Sequence, residues 1–392
     1  MNEHPKRIGI LGGGFGGLYT ALRLSQLPWE NASQPEIVLI DKNDRFLFSP
    51  LLYELLTGEL QTWEIAPPFS ELLANTGVRF LQANITGIEL QTKQVHLEHR
   101  PSLTCDRLVV ALGGTTPLNF VPGAKEYAIP FRTLEDTYRL QEKLRVLEAS
   151  DRDKIRIAIV GGGFSGVELA CKLADRLGER GRLRIIERSE DILATAAEFN
   201  RQAAKQALEE RGIWLDVETS VEEVGPEHLS LLYKSQSDEI AAEIVLWTAG
   251  TKASPLLDSF PFPKCDRGLI KLMPTLQIEG YEGIFAVGDI AATEEKIPAT
   301  AQTAIQQADY CAWNLWASLC DRPLLPFRYN SLGEMMALGI DNATLTGLGI
   351  KLDGILAYLT RRLVYLYRLP ALNHQLAVGF NWISQPLIEF LS

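Results

Sequence analysis

With 392 residues, 46% hydrophobic and 22% charged, the chain is long enough for two or three globular domains and too apolar for extended disorder. Its 38 basic against 49 acidic residues leave a net charge of -11, which repels nucleic-acid phosphate and argues against a nucleic-acid partner. Five cysteines (Cys105, Cys171, Cys265, Cys311, Cys320), an odd number with no CxxC pair, argue against a disulfide framework, a metal site or a dithiol redox pair, and a reducing compartment is expected.

A strand is predicted from Arg7 (RIGIL), leaving no room for a signal peptide before it. It runs into Gly12-Gly-Gly-Phe-Gly-Gly17, a helical stretch LYTALRLSQL, and a second apolar run IVLI ending at Asp41. Short alternating strands follow from Val78 to Arg107, then the buried-strand run Leu108-VVALGG stopped by glycines. Thr133 to Arg156, rich in Glu, Lys, Arg and Asp, reads as a solvated helix and linker. The opening pattern then recurs: IRIAIV from Ile155, Gly161-Gly-Gly-Phe-Ser-Gly166, VELACKLADRL, and LRII ending at Glu187. Glu243-IVLWTAG and Gly283-IFAVGD are further apolar strands, and from about Pro326 the composition turns rich in Leu, Tyr and Trp with clustered arginine.

Both glycine turns satisfy G-x-G-x-x-G, with Gly12, Gly14 and Gly17 in the first and Gly161, Gly163 and Gly166 in the second. Each follows a strand and opens a helix, so backbone N–H groups and the positive helix end can meet a pyrophosphate that side chains there would block. Asp41 and Glu187 lie 24 and 21 residues after the last glycine, near the ~20 expected of a carboxylate that accepts from ribose hydroxyls. The fold class expected is therefore α/β: two Rossmann-like dinucleotide-binding domains with a C-terminal helical, membrane-docking segment. The expected boundaries are 1–120 and 266–325 for a split FAD domain, 121–265 for an NAD(P)H domain, and 326–392 for the C-terminal segment.

Two dinucleotide sites in one chain suggest a flavoprotein that holds FAD and uses NADH or NADPH as hydride donor. FAD is assigned to the N-terminal site. Gly288-Asp289, at a strand end, suits the flavin's ribityl-phosphate part, the aspartate accepting a hydroxyl and the glycine admitting close backbone contact.

Over nearly its whole length the sequence resembles the type II NAD(P)H:quinone oxidoreductases among the two-dinucleotide-binding flavoproteins. The resemblance is carried by the two glycine loops, Phe48-SPLL52, Leu108-VVALGG, Trp247-TAGTKASPL, Gly283-IFAVGDIA and Ala301-QTAIQQ307. It implies that Phe15, Lys42, Pro50, Leu51, Ala111, Gly113, Gly250 and Ala301 also line the cofactors. It implies too that Gln302 and Gln306 line a quinone pocket beside the flavin, and that Glu168 relays a proton or positions the nicotinamide. Independently, Gln302 and Gln306 stand at i and i+4 on one helix face, and neutral amides can donate to quinone carbonyls. Asp41 to Trp63 contains no cysteine, which sets the chain apart from disulfide reductases of the same fold.

Lys351 to Leu369 has helical period, with Leu352, Leu356, Leu359, Leu363 and Leu366 on one stripe and Arg361, Arg368, Tyr358 and Tyr365 opposite. This reads as a helix lying in a membrane interface, with basic heads and amphipathic rings on its polar side. The expected enzyme is peripheral, on the cytoplasmic side of a bacterial plasma or thylakoid membrane, passes electrons to a membrane quinone without pumping protons, and is open to forming a homodimer. YLYRLP and the missing N-terminal extension are similar to the cyanobacterial and plastid branch, which includes demethylphylloquinone reductases acting on prenylnaphthoquinones. A soluble ferredoxin or rubredoxin reductase and a flavin-binding redox sensor are the competing readings.

Overall fold

A computed structural model describes residues 6–29, 34–265, 268–292 and 297–391, with side chains up to Ser384. In chain order the first βαβ unit is strand β1 (Arg7–Leu11), helix α1 (Phe15–Gln26) and β2 (Glu36–Asp41). A one-turn helix α2 (Glu54–Thr57), β3 (Arg79–Gln82), β4 (Arg107–Val110) and β5 (Ala128–Pro130) follow. The second βαβ unit is β6 (Ile155–Val160), α3 (Phe164–Leu177) and β7 (Gly181–Ile186). Then come β8 (Trp214–Asp216), β9 (Ile244–Trp247), β10 (Ile284–Ala286) and α4 (Ala301–Leu319). The chain ends with strands β11 (Glu334–Ala337), β12 (Ala343–Gly347) and β13 (Ile350–Asp353) and helices α5 (Gly354–Arg368) and α6 (Leu372–Leu391).

Contacts divide the chain into two compact units. The first comprises Met1–Phe48, Ala66–Thr115 and Thr251–Asn330; the second comprises Ser49–Ile65, Thr116–Gly250 and Ser331–Ser392. The units divide differently from the sequence reading, with 116–120 in the second unit and 251–265 and 326–330 in the first. Ser49–Ile65 belongs with the second unit, and the C-terminal residues form part of that unit rather than a body of their own. The expected boundary at 265/266 abuts residues 266–267, which lie outside the described residues.

The first unit is built on a parallel sheet of order β10-β4-β1-β2-β3, and the second on a parallel sheet of order β8-β7-β6-β9-β5. Their central strands are continuous apolar runs because both faces of a parallel sheet are covered. In β1, residues Ile8 to Leu11 are buried, and in β6 only Arg156 reaches solvent. The two βαβ units pair their strands in the same parallel manner: Leu11 pairs with Ile40, and Val160 with Ile186, at the strand ends where the glycine turns begin. In each sheet the strand preceding the glycine turn has neighbours reached in opposite chain directions, which opens a crevice at its carboxyl end.

Candidate functional site

The glycines in each turn have separate tasks. Gly12 and Gly161 have φ of +104° and +112°, a region that L side chains rarely adopt, and a Cβ on Gly12 would lie 2.3 Å from the Ala111 carbonyl oxygen. At the third position a Cβ on Gly17 or Gly166 would come within 1.8 or 1.9 Å of the carbonyl oxygen of Gly12 or Gly161, so helix and strand could not approach. The second glycines differ: a Cβ on Gly14 or Gly163 meets nothing within 4 Å. No fold constraint of the described residues requires glycine there. Each sits at a helix N-cap that lacks a side-chain hydrogen bond, with no acidic residue in the first turn. That is a cradle for a pyrophosphate, and both loops fit a dinucleotide.

Asp41 and Glu187 do equivalent work in the two units. Asp41 accepts from Gly13 N (2.6 Å) and Asn43 N (2.8 Å), and Glu187 from Gly162 N (2.7 Å) and Ser189 N (2.8 Å). Burial works against the Glu187 carboxylate, but the Ser189 and Gly162 N–H groups hold it below the ordinary range. Each carboxylate oxygen retains a second lone pair, so a ribose hydroxyl can be bound without breaking these bonds.

In the first unit Phe15 packs edge-on against Phe46 and Phe48, with ring centroids 5.1 and 5.4 Å away. Lys42 is exposed, and its carbonyl accepts from the Gln82 amide. Gly113 (φ +64°) borders open space, as does Gly288 (φ +82°), whose nearest neighbour for a Cβ is Ala304 at 4.0 Å. The Gly288 N–H donates to Oε1 of buried Gln307 (2.7 Å), a contact that sequence reasoning missed. Asp289 follows directly, with Oδ2 3.3 Å from where a Cβ on Gly114 would stand. Ala301 opens α4, capped by the Thr300 hydroxyl.

Gln302 and Gln306 share one face of α4 and both meet the segment 329–330. Gln302 accepts from the Tyr329 hydroxyl (3.0 Å), while Gln306 donates to the Asn330 carbonyl (2.8 Å) and accepts from its N–H (3.0 Å). Gln306 thus ties down the backbone of Asn330.

In the second unit Gly250 (φ +77°) lies against Pro117, Leu51 is buried, and the Pro50 carbonyl accepts from Nη2 of Arg361 (2.9 Å). Arg361 corrects the reading of the C-terminal helix. It is fully buried rather than a basic head at the surface. Its Nη1 donates to Oε1 of Glu54 at 2.5 Å, and its Nη2 lies 3.5 Å from Oε1 of Glu168. Lys172, also fully buried, pairs with Glu59. Glu168 accepts from the Ala337 N–H (2.9 Å); burial pushes its carboxyl up to about 7, against the pull of Arg361 and that N–H. Glu54 is driven the other way: burial opposes ionisation, but Arg361 and Lys172 hold its carboxyl below the ordinary range.

Because the polar side of α5 faces inward, most of its leucine stripe faces out, with Leu366 half-buried. Leu356, Leu359 and Leu363 are 50–66% exposed, while Leu352 lies on β13 ahead of the helix. On α6, Leu372, Leu376, Phe380 and Ile383 are 63–73% exposed. Its polar side chains turn to the body instead: Asn381 (3.2 Å) and Trp382 (2.8 Å) donate to Oε1 of buried Glu64. No helix among the described residues is long and apolar enough to cross a membrane. Among them, too, no group of three His, Cys, Asp or Glu is placed to hold a metal ion. Cys105, Cys171 and Cys311 are buried, and burial pushes the Cys171 thiol up to about 12; Cys320 is exposed.

Two parallel sheets, each with a glycine cradle and a carboxylate at the next strand end, define an oxidoreductase that handles two dinucleotides. Residues 6–308 match the pyridine nucleotide-disulphide oxidoreductase family, and the chain belongs to that family. It is 57% identical to demethylphylloquinone reductase NdbB of Synechocystis sp. (strain ATCC 27184 / PCC 6803 / Kazusa), over 100% of this chain and 99% of that protein. It is 40% identical to alternative NAD(P)H-ubiquinone oxidoreductase C1, chloroplastic/mitochondrial, of Arabidopsis thaliana, over 100% of this chain and 83% of that one. Among solved structures, NDH2 from Plasmodium falciparum in complex with NADH superposes with a TM-score of 0.85 at 18% identity, covering 98% of each chain.

Proposed function

We infer that the chain is an FAD-dependent NAD(P)H:quinone oxidoreductase. The observation that carries this is the pair of glycine cradles, each open to a pyrophosphate at its second glycine. Full-length similarity to a demethylphylloquinone reductase and to an alternative NAD(P)H-ubiquinone oxidoreductase supports quinone as acceptor. When bound, FAD supplies the two-electron chemistry that takes hydride from NAD(P)H and returns electrons to the quinone.

The protein's residues bind, orient and manage protons. Gly12, Gly14, Gly17 and Asp41 hold FAD, and Gly161, Gly163, Gly166 and Glu187 hold NAD(P)H. Gln302 and Gln306 line the quinone pocket, and their hydrogen bonds to Tyr329 and Asn330 give that face of α4 a fixed orientation. Glu168 holds the proton that the reaction draws from solution. A prenylnaphthoquinone or plastoquinone-type acceptor fits the similarity to the Synechocystis reductase.

The exposed apolar faces of α5 and α6 dock on the membrane that carries the quinone, peripherally and on the cytoplasmic side of a plasma or thylakoid membrane. Lys351, Arg362 and Arg368 flank that surface, which suits anionic headgroups. A soluble ferredoxin reductase has no use for such a face, and a homodimer would compete for it. The test is to purify the protein, record its flavin spectrum, and compare NADH and NADPH oxidation with a naphthoquinone, a benzoquinone and ferredoxin. A flavin-free protein, or one that reduces ferredoxin faster than either quinone, refutes the assignment.

A further inference from the structure

Helices α5 and α6 meet around one guanidinium. From Gly354 to Ser384 the sequence holds three arginines and no aspartate or glutamate, within a chain of net charge -11. Arg361 is buried and neutralised by Glu54, so Arg362 and Arg368 carry the positive charge of this segment. Arg362 is half-buried. Its guanidinium carbon lies 4.2 Å from the Trp382 ring centroid on α6 and 5.6 Å from that of Tyr358 on α5, and Nη1 donates to the Tyr358 hydroxyl (2.7 Å). Both rings are anchored in turn. Trp382 Nε1 donates to Oε1 of Glu64 (2.8 Å), and the hydroxyl of buried Tyr358 points to Oε1 of Glu59, 3.4 Å away. An arginine stacked and hydrogen-bonded in this way has given up much of its rotamer freedom before any ligand arrives.

Nε and Nη2 of Arg362 make no hydrogen bond among the described residues, and no carboxylate among them is in ion-pair contact with it. Those two nitrogens form an edge of the guanidinium fork, which matches two oxygens of a phosphate. The helix neighbours of Arg362 and Trp382 are apolar and exposed: Leu359 and Leu363 on α5, and Phe380 and Ile383 on α6, at 50–73%. We propose that Arg362, held between Tyr358 and Trp382, is a specific binding site for the phosphate of an anionic glycerophospholipid, whose acyl chains lie against these apolar side chains. This rests on the reading of α5 and α6 as the membrane-docking surface, and it names the lipid which that surface selects. A phospholipid carries the anion and the apolar chains on one molecule, whereas free phosphate satisfies the fork and leaves the leucines in water. Diffuse attraction to an anionic surface depends on the number of charges. A fork depends on the guanidinium itself, so lysine in its place separates the two.

The experiment measures partition of the holoenzyme onto vesicles of phosphatidylcholine alone and of phosphatidylcholine mixed with phosphatidylglycerol, and takes the ratio. The wild type should prefer the mixed vesicles at least ~tenfold. Arg362→Lys keeps the charge but loses the fork and the stack, and should lower the ratio about tenfold. Arg368→Lys, equally charge-preserving, should lower it less than about twofold. The ratio is its own control, because misfolding does not weaken binding to one vesicle and spare the other. Inorganic phosphate, added to the wild type on mixed vesicles at matched ionic strength, should not displace it. If Arg362→Lys keeps the wild-type ratio, or lowers it no more than Arg368→Lys does, the phosphate site is refuted and the docking surface stands. Displacement by inorganic phosphate assigns the fork to a free anion and overturns the lipid. A wild type that binds neither vesicle refutes the docking surface itself.

Discussion

Gly14→Val separates a ligand-binding glycine from a structural one. Gly14 has φ -72° and ψ -165°, extended backbone that valine also adopts, and the described protein offers its Cβ no neighbour within 4 Å. The variant should therefore fold, losing about 1 kcal/mol at most from the poorer N-cap. Bound FAD meets the new side chain directly. Two N–H bonds to a charged phosphate, at about 1.5 to 3 kcal/mol each, sum to about 3 to 6 kcal/mol, or ~10²- to 10⁴-fold weaker binding. The assay pairs the 450/280 nm absorbance ratio after gel filtration with thermal melts of flavin-stripped protein. A colourless variant whose apo-protein melts within a few degrees of the apo wild type is expected. A yellow variant with normal flavin content refutes the cradle, and a collapsed apo-protein shows that the fold itself needs glycine at this position.

Glu187→Gln should move the ratio of kcat/KM toward NADPH by removing a charge that repels the 2′-phosphate, and an unchanged ratio takes Glu187 out of the nucleotide site. Gln306→Ala should leave flavin reduction by NADH intact and slow reoxidation by quinone about three- to tenfold, from one lost hydrogen bond of about 0.5 to 1.5 kcal/mol. A slowed NADH half-reaction alone would contradict it. Glutamate at Leu359, Leu363 and Leu376 together removes three exposed apolar side chains and should lower binding to anionic liposomes at least ~100-fold. KM for a long-tailed quinone should rise while turnover of a short one is kept; unchanged liposome partition would place the membrane contact elsewhere.

The two βαβ units were legible because their signals are local: an apolar run, a glycine turn, and an acidic residue at the end of the next strand. The glycine spacing marked the three positions of each turn but not their separate tasks, since first and third glycines are required by close backbone approach and only the second faces open space. Arg361 was misread for the opposite reason. Helical periodicity places it on the polar side of α5 but cannot say which side faces inward, and its partner Glu54 lies 307 residues away. Two sequence signals were available in retrospect. Glu54 is a lone carboxylate within Leu51-Leu-Tyr-Glu-Leu-Leu, and Lys172 follows Glu168 by one helical turn inside an apolar helix. Unpaired charges in apolar surroundings require partners, and these find theirs among one another. Gln307 left no comparable trace, since its buried amide differs from its neighbours only in the direction it points.

The inward arginine makes the tail an integral component of the enzyme. Protease cleavage within 340–360 would release the greasy helices and, with them, the cation that neutralises Glu54. Two carboxylates would then stand in an apolar interior with only Lys172, already engaged by Glu59, as compensation. Breaking such a buried pair by removing one partner destabilises by about 3 to 5 kcal/mol, enough to disorganise the surrounding helices. A clipped molecule would thus be silenced by its own electrostatics instead of continuing to consume NAD(P)H.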